Sequence, residues 1–133
     1  MSPASDAFPL WLRKLEVTLA VCRCEPSATV EPWMSRGQFS SMTRTPEELS
    51  IVCPIDEVPV GVRHEGPFVA FVVAGPLDFS LTGIVSRISA PLAQAAIPIF
   101  VTATFDTDYV LVPAARELDA REAWLAAGLG VDT

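Results

Sequence analysis

The sequence contains four side chains of the types that bind zinc: Cys22, Cys24, Cys53 and His64. Four ligands are the number that a closed structural zinc site uses. Cys22 and Cys24 are separated by a single residue, so a strand would place both thiols on one face without the wider-spaced cysteine turn that wraps zinc. Because Cys53 and His64 stand apart with no second pair, we predict free thiols and no bound metal.

Catalytic side chains do not form a recognisable set. The only histidine, His64, is predicted in a loop, and no serine stands in the Gly-x-Ser-x-Gly elbow of a hydrolase. The spacing of Gly75, Gly83, Gly128 and Gly130 matches neither a dinucleotide-binding loop nor a phosphate-binding loop. We therefore predict no catalytic residues, no cofactor and no enzymatic activity.

One group of residues fits a small molecule that carries both charges. Residues 75–83 lead into a predicted helix, and the free N–H groups of a helix's first turn hold a carboxylate well. Gly83 would let a ligand approach the backbone closely. Asp106 and Asp108 follow a later strand and would bind an ammonium group. Together they complement a free α-amino acid. The alternative is that Gly83 is small for packing and that the two aspartates are ordinary turn residues.

Composition and charge exclude several other classes of protein. The chain has 133 residues, of which 50% are hydrophobic, enough for a packed core in one compact domain or two small ones. Its formal charge of −7 provides no basic face for nucleic acid. The longest apolar run, residues 68–74, is too short to span a membrane. The start of the chain lacks the features of a secretory signal and the cysteine count is odd, so we predict a cytoplasmic location and reduced thiols.

Hydrophobic patterns place these groups on strands and helices. In the first half, apolar residues alternate over residues 15–22, as in a half-buried strand. Residues 25–37 contain two prolines and no clean period, which predicts a loop with at most a short helical turn near Trp33. Further along, the sequence predicts a hairpin of two strands over residues 39–44 and 49–53, followed by an internal boundary over residues 54–66.

The second half has clearer patterns. Residues 68–74 are continuously apolar, which is typical of a strand covered on both faces. From Leu81 the apolar residues recur at helical spacing, with Asp78 or Ser80 as the predicted cap and Pro91 expected to kink or shorten the helix. The elements predicted next are a strand over residues 97–105, a turn over residues 106–108 and a strand over residues 109–112.

A second helix is predicted over residues 115–127, with Leu118 and Leu125 on one face and Gly128 at its end, before a short strand at Val131. The second half therefore has the β-α-β-β-α-β order of a ferredoxin-like unit. The first half fits a degenerate copy. We predict an α+β protein with two such units, residues 11–64 and 65–133, packed side by side.

Residues 75–112 resemble an ACT domain of the small tandem-ACT proteins of bacteria, and also the repeats of CASTOR-type arginine sensors. The resemblance runs through the helix, at Gly-Ile-Val and Ala-Pro-Leu-Ala, and through the hairpin Thr-Phe-Asp-Thr-Asp-Tyr-Val-Leu-Val. Upstream, residues 39–52 resemble a hairpin of the preceding half in the same family. The resemblance covers most of residues 11–127, and its second-half motif is the more specific one.

The resemblance implies two ACT-type units that often dimerise and bind a regulatory amino acid at a unit interface, without catalysis. Thr104, Phe105 and Asp108 match the hairpin positions that contact the ligand's α-amino end. The segment whose backbone amides face the ligand carboxylate matches Gly83, Ile84 and Val85. The rest of the predicted site consists of the loop residues Asp78, Leu81 and Thr82, with Pro98 and Ile99 facing the ligand from the partner unit.

One position departs from the arginine sensors. An acidic residue that holds the guanidinium of arginine is replaced by Leu81 here. Because a buried guanidinium without a counter-charge is costly, we predict a neutral or apolar amino acid as the ligand. The alternative is an interaction module whose ACT units only dimerise or dock to a partner enzyme, with an empty pocket.

Overall fold

A computed structural model describes residues 9–74 and 83–132. Within these residues strands predominate, and two α-helices and three short 3₁₀ helices complete the secondary structure. This mixed architecture agrees with the predicted α+β class. In chain order the strands and α-helices are β1 Trp11–Cys24, β2 Ser41–Arg44, β3 Leu49–Pro54, β4 His64–Val73, α1 Ile84–Gln94, β5 Phe100–Ala103, β6 Asp108–Pro113, α2 Glu117–Ala126 and β7 Gly130–Asp132.

The chain divides into two compact units. The helical unit, as we name it, consists of the chain up to Leu15 together with the chain from Ala70 onward. The cysteine unit is Glu16–Val69 and contains all three cysteines. Strands β1 and β4 each contribute residues to both units. The ACT-type units predicted in chain order, residues 11–64 and 65–133, stay a prediction.

The helical unit has the strand order β7-β1-β4-β6-β5. β7 pairs with β1 in parallel, and β5 pairs with β6 antiparallel. Along the chain, β4, α1, β5, β6, α2 and β7 follow one another in the β-α-β-β-α-β order of a ferredoxin-like fold, as predicted. The predicted closing strand at Val131 is β7, which reaches the sheet by pairing with the start of β1.

The core of the helical unit is centred on Trp124 of α2. Its indole packs edge-on against Phe71 of β4, with ring centroids 4.9 Å apart. Its Nε1 donates a hydrogen bond to the carbonyl oxygen of Ile88 in α1 at 2.9 Å. The expectation that Leu118 and Leu125 form the apolar face of α2 is wrong, because these side chains are 74% and 57% exposed. Ala120 and Trp124, one helical turn apart, are the buried residues instead.

Helix α1 begins at Ile84, later than predicted. Its N-cap is Gly83, which has a left-handed φ of 78°, so neither Asp78 nor Ser80 is the cap; both lie outside the described residues. The predicted helical spacing is confirmed by the burial of Ile84, Ile88 and Leu92. Pro91 lies in the last turn. Of the helices in the described chain, neither α1 nor α2 has the length and apolar character that crossing a membrane requires.

The cysteine unit has the strand order β2-β3-β1-β4. The predicted hairpin is present, since β2 and β3 pair antiparallel around a turn closed by Thr45 N donating to Glu48 O at 2.9 Å. The predicted helical turn near Trp33 is the 3₁₀ helix Pro32–Ser35. No α-helix occurs in residues 16–69, all of which the structure describes; Trp33 and Met34 pack there with the buried sheet residues Ala20, Cys22, Leu49, Ile51 and Cys53.

Two strand boundaries differ from prediction. β4 begins at His64, so this histidine lies in a strand rather than in a boundary loop, and its Nδ1 lies 2.9 Å from the Val62 carbonyl oxygen. β5 is only Phe100–Ala103, shorter than the predicted strand over residues 97–105. Pro98 has no N–H to donate to a neighbouring strand, and the Thr104 N–H instead closes the next turn on Thr107 O.

Candidate functional site

An open cleft of about 390 Å³ lies in the helical unit, where β4 ends. Strand β1, the turn between β5 and β6, and the start of β6 supply its other walls. These strands are neighbours in the sheet order, which explains how residues distant in sequence meet here. The residues that line it are Arg13, Val72, Val73, Ala74, Thr104, Asp106, Thr107 and Tyr109.

Two threonines fix the shape of the turn between β5 and β6. Thr104 N donates to Thr107 O at 2.8 Å, and Thr107 N donates to Thr104 Oγ1 at 3.3 Å. Thr107 Oγ1 donates in turn to the Val73 carbonyl oxygen at 2.7 Å, which ties the turn to the end of β4. Asp106 is therefore held on a braced turn that does not use its carboxylate.

The cleft presents one cation and one anion that do not pair with each other. Arg13 and Asp106 both line it, and neither side chain forms an ion pair or hydrogen bond within the part of the chain that the structure describes. Lys14, the next residue in β1, contacts α2, so by strand alternation Arg13 lies on the sheet face opposite that helix. A guanidinium and a carboxylate that remain apart in one cleft complement a molecule that carries both charges.

The predicted hairpin residues lie at different places around this cleft. Thr104 lines it, whereas Phe105 at the tip of the turn is 80% exposed. Asp108 opens β6, is half-buried and pairs with Ala103 across the β5–β6 ladder. The cleft-lining residues that the sequence did not predict as part of the site are Arg13, Val72, Val73, Ala74, Thr107 and Tyr109. The only available signal for Arg13 was its outward position in an alternating strand.

The predicted carboxylate-binding segment lies at the start of α1. Its first helical hydrogen bond runs from Arg87 N to Gly83 O, and no side chain caps the helix, so the amides of Ile84 and Val85 precede the hydrogen-bonded ladder. Ile84 is buried, whereas Val85 is 44% exposed. A side chain on Gly83 would meet no atom within 4 Å, so the backbone there is open.

The remaining predicted residues are less informative. Asp78, Leu81 and Thr82 lie outside the described residues, in the stretch that joins Ala74 of the cleft to Gly83. Pro98 and Ile99 precede β5; Pro98 is exposed and Ile99 half-buried.

The three cysteines are free thiols. Burial raises the pKa of Cys22 to about 12 and raises the pKa of Cys24 and of Cys53 as well, so the protonated, unreactive form predominates at neutral pH. Across residues 9–74 and 83–132, no three histidine, cysteine or acidic side chains lie close enough together to hold a metal ion.

A second, smaller cleft of about 160 Å³ lies in the cysteine unit. It holds both cationic and anionic groups, including Arg63, His64 and Glu48. Arg23, which also lines it, is already bound to the Glu47 carbonyl oxygen at 3.0 Å.

Two family models match successive parts of the chain. Residues 63–123 match the family model of the ACT domain, and residues 18–61 match a model that describes an N-terminal domain. The crystal structure of protein Atu0741 from Agrobacterium tumefaciens is 35% identical, covers 94% of this chain and 93% of its own, and superposes with a TM-score of 0.89.

Two further matches are less similar. Putative protein CASTOR3P of Homo sapiens is 30% identical over 109 residues, which are 69% of this chain and 67% of that protein. The regulatory subunit of aspartate kinase from Thermus thermophilus, in its ligand-free form, shares the fold with a TM-score of 0.58 at 15% identity, over 90% of this chain and 97% of its own. The chain therefore belongs to the ACT-domain family, and its ACT domain occupies residues 63–123.

Proposed function

We propose that this protein is a regulatory ACT-domain protein that binds a free amino acid in its helical unit and catalyses no reaction. The observation that carries the proposal is the cleft in which Arg13 and Asp106 have no partner among residues 9–74 and 83–132, beside a turn braced by threonines. Binding energy there would come from charge-assisted hydrogen bonds to the two charged ends of the ligand.

The ammonium end of the ligand would bind the acidic turn. Asp108 is the anchor that the family resemblance implies, and Asp106 is the carboxylate that lines the cleft. Substitution distinguishes Asp106 from Asp108, because removing the charge should weaken binding only at the residue that contacts the ligand.

The carboxylate end would bind the amides of Gly83, Ile84 and Val85 at the start of α1, where the N-cap Gly83 provides no side-chain cap. Thr104 and Phe105 would contact the ligand through their backbone, and the loop residues Asp78 and Thr82 would complete the site. Leu81 would line the side-chain pocket, which favours a neutral or apolar amino acid over arginine.

A second copy of the chain is part of the proposal. Pro98 and Ile99 would face the ligand from the partner unit, so the protein would act as a homodimer in the cytoplasm. Nucleic acid and membranes are not proposed partners, given a formal charge of −7.

Thermal melting against the twenty amino acids tests the proposal. A ligand at about 100 times its Kd adds about 2.7 kcal/mol of stability by mass action, a shift that melting detects readily. Asp108→Asn should abolish the shift and leave the unliganded melt nearly unchanged, and Asp106→Asn shows whether the cleft-lining carboxylate shares the role. Asp56→Asn, an exposed aspartate of the cysteine unit, is the matched control.

Tighter binding of arginine than of leucine, valine or methionine would contradict the proposed specificity. If no amino acid shifts the melt, the dimerisation or docking module with an empty pocket replaces this proposal.

A further inference from the structure

Six of the eight arginines have a partner within the protein. They bind acidic side chains, backbone carbonyls or other groups and thereby hold turns and helix ends in place. Arg116, for example, donates to Asp119 and to the carbonyl oxygens of Ala95 and Ala96 at the end of α1. The six are Arg23, Arg36, Arg44, Arg87, Arg116 and Arg121.

Arg13 and Arg63 are the two exceptions in the described chain. Neither guanidinium has a partner there, and each lines a cleft, Arg13 in the helical unit and Arg63 in the cysteine unit. The five N–H donors of each guanidinium are therefore available to a ligand.

The fold does not account for Arg13. Its neighbour Leu12 is fully buried, and Lys14 pairs with Glu117 at 3.1 Å, so these residues hold β1 against the helical layer. Arg13 alternates to the other face and reaches the cleft, where Asp106 is the only other charged side chain among the described lining residues.

We propose that Arg13 binds the carboxylate of the amino-acid ligand, an inference that rests on the proposed function. A guanidinium matches a carboxylate with two parallel hydrogen bonds. With Asp106 in the same cleft, the ligand's two charged ends would each find an opposite charge. Arg13 thus selects free amino acids over amides, esters and peptides extended at their carboxyl end.

Isothermal titration of leucine, valine and methionine, each beside its amide, tests Arg13 directly. Arg13→Gln should raise the Kd of the bound amino acid about 10- to 100-fold, the usual effect of removing a hydrogen bond to a charged group. The same substitution should leave the Kd of the corresponding amide unchanged, because the amide has no carboxylate to lose. Arg13→Lys should restore binding in part, since it keeps the charge without the paired donors.

Arg63→Gln is the matched control, an unpaired arginine in a cleft of the other unit, and should bind all ligands as the unaltered protein does. Unchanged melting of Arg13→Gln without ligand would show that the fold is intact. The inference fails if Arg13→Gln binds leucine, valine and methionine normally, or if it weakens acid and amide equally. If the unaltered protein binds none of the amino acids, the proposed function itself fails, and this outcome is distinct from the other two.

Discussion

The helical unit and the cysteine unit cover their strands by different means. In the helical unit, Trp124 is fully buried and joins three elements, since it packs on Phe71 of β4 and bonds to Ile88 of α1. In the cysteine unit, Trp33 belongs to a single 3₁₀ turn, and its Nε1 donates to the adjacent Glu31 carboxylate at 3.3 Å. The first tryptophan makes polar contact across the fold and the second only locally.

The charged side chains also have different roles in the two units. The helical layer covers one face of the sheet, and Arg13 lies on the other face, in the cleft that Asp106 of the β5–β6 turn also lines. The cysteine unit has no such layer and uses arginines to brace its loops, as Arg44 does by bonding to the carbonyl oxygens of Pro26 and Ala28.

The largest expected effect follows from removing the indole of the helical unit. Trp124→Ala should lower the free energy of unfolding by about 3–5 kcal/mol, because it opens a cavity against Phe71 and removes the bond to Ile88. Urea denaturation followed by circular dichroism measures the loss.

Trp33→Ala is the counterpart in the cysteine unit. Trp33 is 7% exposed and its hydrogen bond is local, so its loss should lie at or below the lower end of the same range, about 3 kcal/mol. A larger loss for Trp33→Ala than for Trp124→Ala would invert the comparison.

Sequence periodicity identified the elements better than their buried faces. The order of strands and helices in the helical unit, and the buried spacing of Ile84 and Ile88, follow from local patterns that tertiary packing respects. The buried face of α2 does not follow from its local pattern. Hydrophobicity pointed to Leu118 and Leu125, whereas Ala120 and Trp124 are the residues that are buried. The side of α2 that faces the sheet is set by the space beside Phe71, where Trp124 packs. The sequence of the helix alone does not specify that space.

The candidate site shows the same limit. The acidic turn over residues 106–108 was predictable, because turn residues and charge are local properties. Arg13 was not, because it enters the cleft only through the pairing order of β1, β4 and β6. Long-range strand pairing is the feature that a single sequence specifies least.

Two glycines with a left-handed backbone, one in each unit, differ in the space available for an added side chain. Gly37 of the cysteine unit has φ 89°, and an added Cβ would lie 2.6 Å from Pro54 Cγ. Gly128 of the helical unit has φ 91° and open space around it. Gly37→Ala should therefore cost about 2–3 kcal/mol and Gly128→Ala about 1–2 kcal/mol, both measured by urea denaturation. Equal losses would show that the Pro54 ring moves aside freely.

The half-buried ion pairs of α2 provide a pH-dependent comparison. Glu117 bonds to Lys14 at 3.1 Å and to Arg121 at 2.9 Å. Burial alone would raise the pKa of Glu117, but the hydrogen bonds from Lys14 and Arg121 outweigh it and lower the pKa below its ordinary value. A carboxyl group whose pKa falls on folding stabilises the protein above its unfolded pKa and loses that contribution as pH falls through the folded value.

Glu117→Gln should therefore cost about 1 kcal/mol at pH 7, and the difference from the unaltered protein should shrink as the pH drops below about 4.5, the ordinary pKa of the group. Glu57 of the cysteine unit pairs with Arg36 at 3.7 Å, and Arg36 is largely exposed. Glu57→Gln should consequently change stability by no more than about 0.5 kcal/mol. Melting across pH 3–7 compares the two, and a pH-independent loss for Glu117→Gln would contradict the linkage.

The smallest effect concerns thiol labelling, which changes no stability at neutral pH but reports on the cysteine unit alone. Cys24 is half-buried, whereas Cys22 and Cys53 are buried beside Trp33 and Met34. Because burial raises the pKa of Cys22 to about 12, iodoacetamide at pH 8 should label Cys24 first, and Cys22 only when the unit opens. Peptide mass spectrometry over time gives each rate, and Trp33→Ala should accelerate labelling of Cys22 more than that of Cys24. Equal labelling rates for Cys22 and Cys24 in the unaltered protein would mean that the single 3₁₀ turn does not shield the core of the cysteine unit from solvent. The two units would then differ in core protection even more than their tryptophans indicate.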